Sequence, residues 1–158
     1  MQGHRDLKVY QLAYKLAMEI FNESKTFPRD ERYSLTDQIR RSSRSVATNL
    51  AEAFRKRRYP NMFVSKLTDA DGEATETQVW LDVAHDCGYL SGEHRDDMTT
   101  KYEEVGRMLG SMMAHPEKFS RQKAVGSRQE ENKEGSLQKA ESRKKEEKAE
   151  SGRQREPQ

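Results

Sequence analysis

The residues best suited to chemistry in this sequence are basic residues that are concentrated in one stretch. Residues 37–58 contain seven Lys and Arg side chains against two acids. They form two groups: Arg40, Arg41 and Arg44, then Arg55, Lys56, Arg57 and Arg58. Arginine suits phosphate because its planar guanidinium can donate two hydrogen bonds at once. The pattern predicts a nucleic-acid-binding surface that holds RNA or DNA by its phosphates without reading the bases.

Both basic groups also have a structural interpretation. Cations near the C-terminal end of a helix are favoured by the helix dipole, which would account for the run at 55–58. The first three arginines could bridge subunits or meet an acidic helix instead. Charge is indeed segregated: residues 29–58 hold nine basic and four acidic residues, whereas 61–118 hold five and twelve. The two interpretations stay open at this point.

Catalytic and metal-binding patterns are weak. The four histidines share no spacing typical of metal ligands. His85, Asp86 and Cys87 are consecutive, so on a helix their side chains point about 100° apart and do not converge. We expect Cys87 to act as a small apolar residue near a helix end and not as a catalytic nucleophile. We therefore predict no catalytic residue, no metal site and no cofactor, which means a protein that is not an enzyme.

Several carboxylates need a separate interpretation. Asp69, Glu73 and Glu76 are spaced i, i+4, i+7 and share one helix face. A di-iron bundle would also need Glu-x-x-His units, and the sequence has none. We expect this face to be solvated or to pair with a basic neighbour. Asn49 and Glu52, beside an apolar stripe, are predicted to contact Arg or Tyr groups of a neighbouring helix.

Helices must position all of these groups, because the sequence lacks the period-two alternation of strands. Helical periodicity recurs over four segments, about 7–26, 34–58, 61–87 and 91–115. Ser34 with Asp37 is typical of a helix start, and Gly88 suits a left-handed cap. Since the connections are short, neighbouring helices should be antiparallel. The predicted fold is all-α, an antiparallel up-down-up-down four-helix bundle.

In the second segment, the apolar residues and the arginines fall on different faces of the helix. Its apolar stripe contains Leu35, Ile39, Val46, Leu50 and Ala53, flanked by Ser42 and Ser43. The arginines at 40, 41 and 44 fall on the opposite side of the helix and are predicted to face outward.

Two other segments carry more apolar residues than one core face needs. The first has a predicted core stripe of Leu7, Tyr10, Tyr14, Ala17 and Phe21, and a second stripe beside it. The third has a core line of Phe63, Leu67, Ala70, Ala74 and Leu81, with further apolar residues elsewhere. The excess predicts a homo-oligomer interface formed by Val9, Leu12, Leu16, Val79, Trp80 and Val83. Alternatively, these residues cover the ends of the bundle.

Composition divides the 158 residues unequally. The apolar fraction is 32%, against roughly 45–50% in an average domain. Much of the deficit lies in 120–158, where 19 of 39 residues are charged and none is aromatic. We predict a bundle over 1–119 and a disordered mixed-charge tail over 120–158. The single cysteine, the lack of a signal-peptide pattern and the lack of a long apolar run favour the cytoplasm and no membrane contact.

Three stretches resemble a known family of four-helix bundles, first noticed as proteins encoded in 23S ribosomal RNA intervening sequences. They are LKVYQLAYKLAMEIF, FPRDERYSLTDQIRRSSRSVATNLAEAFRKR and ATETQVWLDVAHDCGYLS. The shared pattern is L-x-V-W/Y-Q, F-P-x-x-E-x-Y-x-L-x-x-Q-I-R-R, S-I-x-x-N-I-A-E-G, E-x-E-T-Q and G-Y-L, in order over about 5–115. Ala53 replaces the usual glycine, and Ala74 replaces the first glutamate of E-x-E-T-Q.

The resemblance implies a compact bundle that often assembles as a pentameric ring. The family includes the accessory variability determinant of diversity-generating retroelements, which is similar to this chain in fold and basic character. Those proteins bind nucleic acid and a reverse transcriptase, and they support mutagenic complementary-DNA synthesis without being catalysts. The implied function is that of a non-enzymatic, ring-forming accessory protein. The alternative is a structural homo-oligomer of the same family with no retroelement role.

Overall fold

The computed structural model describes residues 2–120, and this part of the chain is all-α, as predicted. Its long helices are α1 (Lys8–Glu23), α2 (Leu35–Lys56), α3 (Pro60–Asp86) and α4 (Gly92–Ala114). Short 3-10 turns occur at His4–Asp6, Ser24–Thr26, Arg29–Glu31 and Pro116–Lys118. All four long helices lie within about three residues of their predicted bounds. The predicted tail lies outside the described residues, apart from its first residue.

Contacts between the helices show that sequence neighbours run antiparallel. Thr77, late in α3, donates to Ser42, early in α2, at 2.9 Å. Lys66, early in α3, donates to Asn49, in the second half of α2, at 3.2 Å. Among the described elements, α2 and α3 make the most extensive contact, and α1 also packs on α4. The helices therefore enclose one core between them.

The predicted core faces of α2 and α3 are confirmed. Val46, Leu50 and Leu67 have no exposed surface, and Phe63 has 1%. Fully burying a Leu or Phe side chain contributes about 1.5–3 kcal/mol. The fourth helix completes the core with Met98, Tyr102, Val105, Leu109 and Met112. The small Ser42 and Ser43 are also buried and lie where neighbouring helices approach α2.

The predicted core stripe of α1 is wrong in part, and two residues predicted for the oligomer interface lie inside the chain. Val9 and Leu16 are buried in the core of the chain itself, with 3% and 0% exposure. Tyr14, which was predicted to be buried, is 54% exposed. The two stripes are both apolar, but a tyrosine at the surface keeps its hydroxyl in water. The aliphatic residues, which have no polar atom to satisfy, take the core positions instead.

The start of α2 also differs from the prediction. The Ser34 hydroxyl caps no backbone amide; it donates to the Glu31 carboxylate. That carboxylate accepts the Leu35 amide at 3.3 Å. A charged acceptor makes the stronger hydrogen bond, so Glu31 takes the place of the predicted serine cap. The hydroxyl of Ser34, followed by the Leu35 amide, lowers the pKa of Glu31.

The end of α3 confirms the predicted glycine cap and fixes an aromatic contact. Gly88 has a φ of 77°, and its amide donates to the His85 carbonyl while the Tyr89 amide donates to that of Ala84. This pair of bonds is the Schellman arrangement. It directs Tyr89 back to the turn before α2, where its ring lies 5.9 Å from that of Phe27. Its hydroxyl donates to Glu31 at 3.4 Å.

Candidate nucleic-acid interface

The three arginines near the start of α2 do not form one outward patch. Arg41 lies on the side of α2 that faces α3: its guanidinium is 3.9 Å from the Asp37 carboxylate, and its charge acts on Glu73. Arg40 and Arg44 lie on the other side, against α1. Helical geometry explains this split, because positions three or four apart share a face and adjacent positions do not.

Arg40 and Arg44 meet a third cation around the ring of Phe21. The Lys25 ammonium is 4.6 Å from the ring centroid, and the guanidinium carbons of Arg40 and Arg44 are 5.0 and 5.8 Å from it. We call Lys25, Arg40 and Arg44 the cation cluster. The Arg40 Nε donates to the Ser24 hydroxyl at 2.7 Å, so this arginine is half-buried and held against α1.

The cation cluster has no anionic partner in the described part of the chain. Across residues 2–120, none of its three members forms an ion pair with a carboxylate. A cation over an aromatic ring gains about 0.5–1 kcal/mol at an exposed site. Three like charges around one ring nevertheless repel one another. The site is therefore suited to an anion that can approach from solvent.

An apolar groove adjoins the cation cluster. It lies between α1 and α2, has a volume of about 400 Å³, and its lining contains no carboxylate. The lining residues are Tyr10, Tyr14, Ala17, Met18, Arg44, Ala47, Thr48 and Ala51. Arg44 belongs to both features, so the positive charge of the cluster reaches one wall of the groove.

The basic run at the end of α2 is divided between packing and solvent. Arg57 donates to the Phe54 carbonyl at 2.6 Å, and its guanidinium carbon lies 3.9 Å from the centroid of the Phe54 ring. Lys56 is also half-buried, whereas Arg55 and Arg58 are exposed. Arg57 thus has the structural role open to a cation at a helix end. The following Tyr59 is 60% exposed beside these cations.

The opposite side of α2 carries an acidic groove, lined by Asn49, Lys66, Asp69, Gly72, Glu73 and Glu76. Lys66 bridges it, at 3.0 Å from Glu52 and 3.2 Å from Asp69. Asn49 and Glu52 do contact a neighbouring helix, but the partner is Lys66 of α3 and not the predicted Arg or Tyr. Burial, followed by the charge of Glu76, raises the pKa of Glu73.

The predicted oligomer residues have different environments. Only Val79 is strongly exposed, at 52%, while Leu12, Trp80 and Val83 are half-buried against the core. The Trp80 indole also donates to Glu76 at 3.0 Å. The largest exposed apolar residues on α1 are Tyr14 and Met18, which the prediction did not place at a surface.

Sequence reasoning also missed the Lys25 member of the cation cluster and the role of the Phe21 ring that the cluster surrounds. Phe21 and Lys25 are four residues apart on α1, a spacing that places them on one helix face. Their approach to Arg40 and Arg44 depends on the packing of α1 against α2. A lysine four residues after an aromatic residue was the signal available in the sequence.

Other kinds of site find little support in the described residues. Within 2–120, no three His, Cys, Asp or Glu side chains are grouped so that they could hold a metal ion. Cys87 is exposed next to His85 and Asp86, whose side chains contact each other at 3.1 Å. None of the helices over this range has the length and apolar character needed to cross a membrane.

Comparison with known proteins identifies the family. The model of the 23S rRNA-intervening sequence proteins matches residues 5–111. A crystal structure from Bacteroides thetaiotaomicron VPI-5482, described as a protein of unknown function from the S23 ribosomal protein family, is 26% identical with a TM-score of 0.61. The match covers 67% of this chain and 95% of that one. No curated protein matches. The chain belongs to the 23S rRNA-intervening sequence protein family.

Proposed function

We propose that this protein is a non-enzymatic accessory factor that binds RNA or DNA through the phosphates. One observation carries the proposal: Lys25, Arg40 and Arg44 surround a single ring, and none of them is paired with a carboxylate of residues 2–120. Keeping three unpaired cations together costs free energy in the unbound protein. A phosphate offsets that cost and releases counterions from the nucleic acid.

The proposal extends to partners through the resemblance to retroelement accessory proteins. On this view the protein forms a homo-oligomeric ring, with a pentamer favoured, and acts in the cytoplasm with the reverse transcriptase of a diversity-generating retroelement. It would support mutagenic complementary-DNA synthesis and take no part in the chemistry. A reverse transcriptase gene and a template/variable repeat pair beside this gene would support that partnership; their absence would count against it.

Arg44 and Arg41 offer a matched test of phosphate binding. Both are exposed arginines on α2, but only Arg44 belongs to the cation cluster. Arg44→Gln should weaken binding to a fluorescent RNA about tenfold at 0.1 M salt and reduce the salt slope by about one. Arg41→Gln should change both much less, because Arg41 pairs with Asp37. Fluorescence anisotropy across a salt series measures both quantities.

The same variants distinguish the alternative, a structural homo-oligomer without a nucleic-acid role. The exposed apolar Val79 on α3 favours that alternative because it offers a surface for another subunit. If the arginines bridge subunits, Arg44→Gln should lower the molar mass measured by light scattering. Wild-type protein that binds no RNA, or binds it with no salt dependence, contradicts the proposed function.

A further inference from the structure

We propose that the groove between α1 and α2 receives unpaired bases of single-stranded nucleic acid whose phosphates lie on the cation cluster. This inference rests on the proposed function and narrows it from nucleic acid in general to single strands. It follows from the groove's aromatic wall, from the member of the cation cluster that lines it, and from its size.

Aromatic rings form a row along the wall contributed by α1. The His4 ring meets Tyr10 edge-on with centroids 4.8 Å apart, and Tyr10 stacks on Tyr14 at 6.1 Å with an interplanar angle of 29°. Tyr14 is 54% exposed and Met18 is 43% exposed. Exposed rings beside cations can stack with bases, and such stacking is tolerant of sequence because every base has a flat face.

Cations lie at both ends of this row. Because α1 and α2 are antiparallel, the start of α1 lies near the end of α2, where Arg55 is exposed. Arg40 and Arg55 are fifteen residues apart on α2, which corresponds to about 22 Å. At about 3.4 Å per stacked nucleotide, this distance accommodates roughly six nucleotides. A strand along the groove would meet the cluster first, the tyrosines next and the basic run last.

The shape of the groove favours unpaired bases over a duplex. Its floor is made of alanines at positions 17, 47 and 51, so flat groups can approach the backbone closely. Its volume of about 400 Å³ is in the usual range of ligand pockets, which suits a few inserted bases while the sugars and phosphates stay outside the groove. A duplex hides the faces of its bases, so the tyrosine wall would gain nothing from it.

Binding experiments on the full chain test this inference with three fluorescent probes. The probes are a single-stranded RNA of twelve nucleotides, the same strand in a duplex, and an abasic strand of equal length. Wild type should prefer the first probe. Tyr14→Ala should weaken that binding about 5- to 100-fold and leave the abasic probe unaffected. Tyr14→Phe should retain binding. Tyr33→Ala is the control because Tyr33 is 83% exposed and lies outside the groove.

Each other outcome has a defined meaning. If Tyr14→Ala binds like wild type while Arg44→Gln binds weakly, the inference is overturned and the proposed function stands. If all three probes bind equally well, the groove does not hold bases and the inference fails. If Tyr14→Ala lowers the molar mass, a second copy of the chain covers the groove and the inference also fails. If wild type binds none of the probes, the proposed function fails.

Discussion

The two sides of α2 carry the same kinds of residue, but these residues have different partners. Toward α3, Arg41 pairs with Asp37, Lys66 bridges two carboxylates, and a buried hydroxyl pair joins the helices. Toward α1, Arg40 and Arg44 join another cation over a ring and meet no carboxylate of residues 2–120. Arg41 and Arg44 are only three positions apart.

This contrast shows that the role of an arginine on α2 depends on whether a carboxylate of the same chain pairs with it, and less on how many basic residues lie nearby. The α3 side is compensated within the chain and is packed most extensively, as expected of a surface that stabilises the fold. The α1 side leaves an apolar groove and unpaired cations in contact with solvent, as expected of a surface that binds something else. If this division is correct, substitutions on the two sides should affect different properties.

The largest expected effect is a loss of stability on the α3 side. Leu67 has no exposed surface, so Leu67→Ala should lower the free energy of unfolding by about 2–5 kcal/mol. Tyr14→Ala, at an exposed position in the other groove, should change it by less than about 0.5 kcal/mol. Urea unfolding followed by circular dichroism measures both values.

RNA binding should show the reverse order for these two variants. Leu67→Ala, measured at a low temperature at which it is folded, should bind like wild type, and Tyr14→Ala should not. A Leu67→Ala variant that is folded but does not bind RNA would contradict the assignment of binding to the α1 side, because the α3 side would then contribute to binding.

On the α3 side, loss of a buried hydroxyl pair should lower the unfolding free energy by a smaller amount. Thr77 donates to Ser42 at 2.9 Å in the core, and both residues are buried. Thr77→Val should cost about 1–3 kcal/mol of unfolding free energy because it leaves the Ser42 hydroxyl without this partner. Thr75→Val is the matched control. The Thr75 hydroxyl donates to the Asp71 carbonyl at 3.0 Å, and that of Thr77 likewise lies 2.8 Å from the carbonyl four residues earlier, but Thr75 is exposed. Equal losses in the two variants would show that the bond between helices contributes nothing.

Sequence periodicity was sufficient to predict which residues are buried between α2 and α3. The apolar stripe of α2 is bounded by polar residues, and the core line of α3 keeps helical spacing although further apolar residues lie beside it; both are buried. The partners of Asn49 and Glu52 were less certain, because several cations could have reached them. Lys66 makes this contact because antiparallel packing brings the start of α3 to the second half of α2.

The α1 side could not be predicted in the same way. Both stripes of α1 are apolar, and the choice between them depends on which side chains tolerate water, as Tyr14 and Val9 show. The cation cluster depends on how two helices align, and a pattern along one helix does not contain that alignment. Even on α2, Arg40 and Arg41 differ in role because each lies beside a different neighbouring helix.

The smallest expected effect concerns the one poorly compensated carboxylate of the α3 side. Burial, then Glu76, raises the pKa of Glu73 above its usual value, while Arg41 opposes this. The folded state therefore binds more protons at this site than the unfolded state between the unfolded pKa near 4.5 and the higher folded pKa. Stability falls as pH rises through that window, and ionised Glu73 destabilises the protein at pH 7.

Glu73→Gln should accordingly raise the melting temperature at pH 7, and this gain should shrink to nothing as pH falls below about 4. Glu103→Gln, at an exposed position on α4, is the control and should show no such trend. Thermal unfolding between pH 3.5 and 7.5 compares the variants. A gain that is constant across this range, or a lower melting temperature at pH 7, would show that Arg41 fully compensates Glu73. Ionised Glu73 would then cost the folded state nothing, and the cation cluster on the α1 side would remain a group of charges that has no partner of opposite sign among residues 2–120.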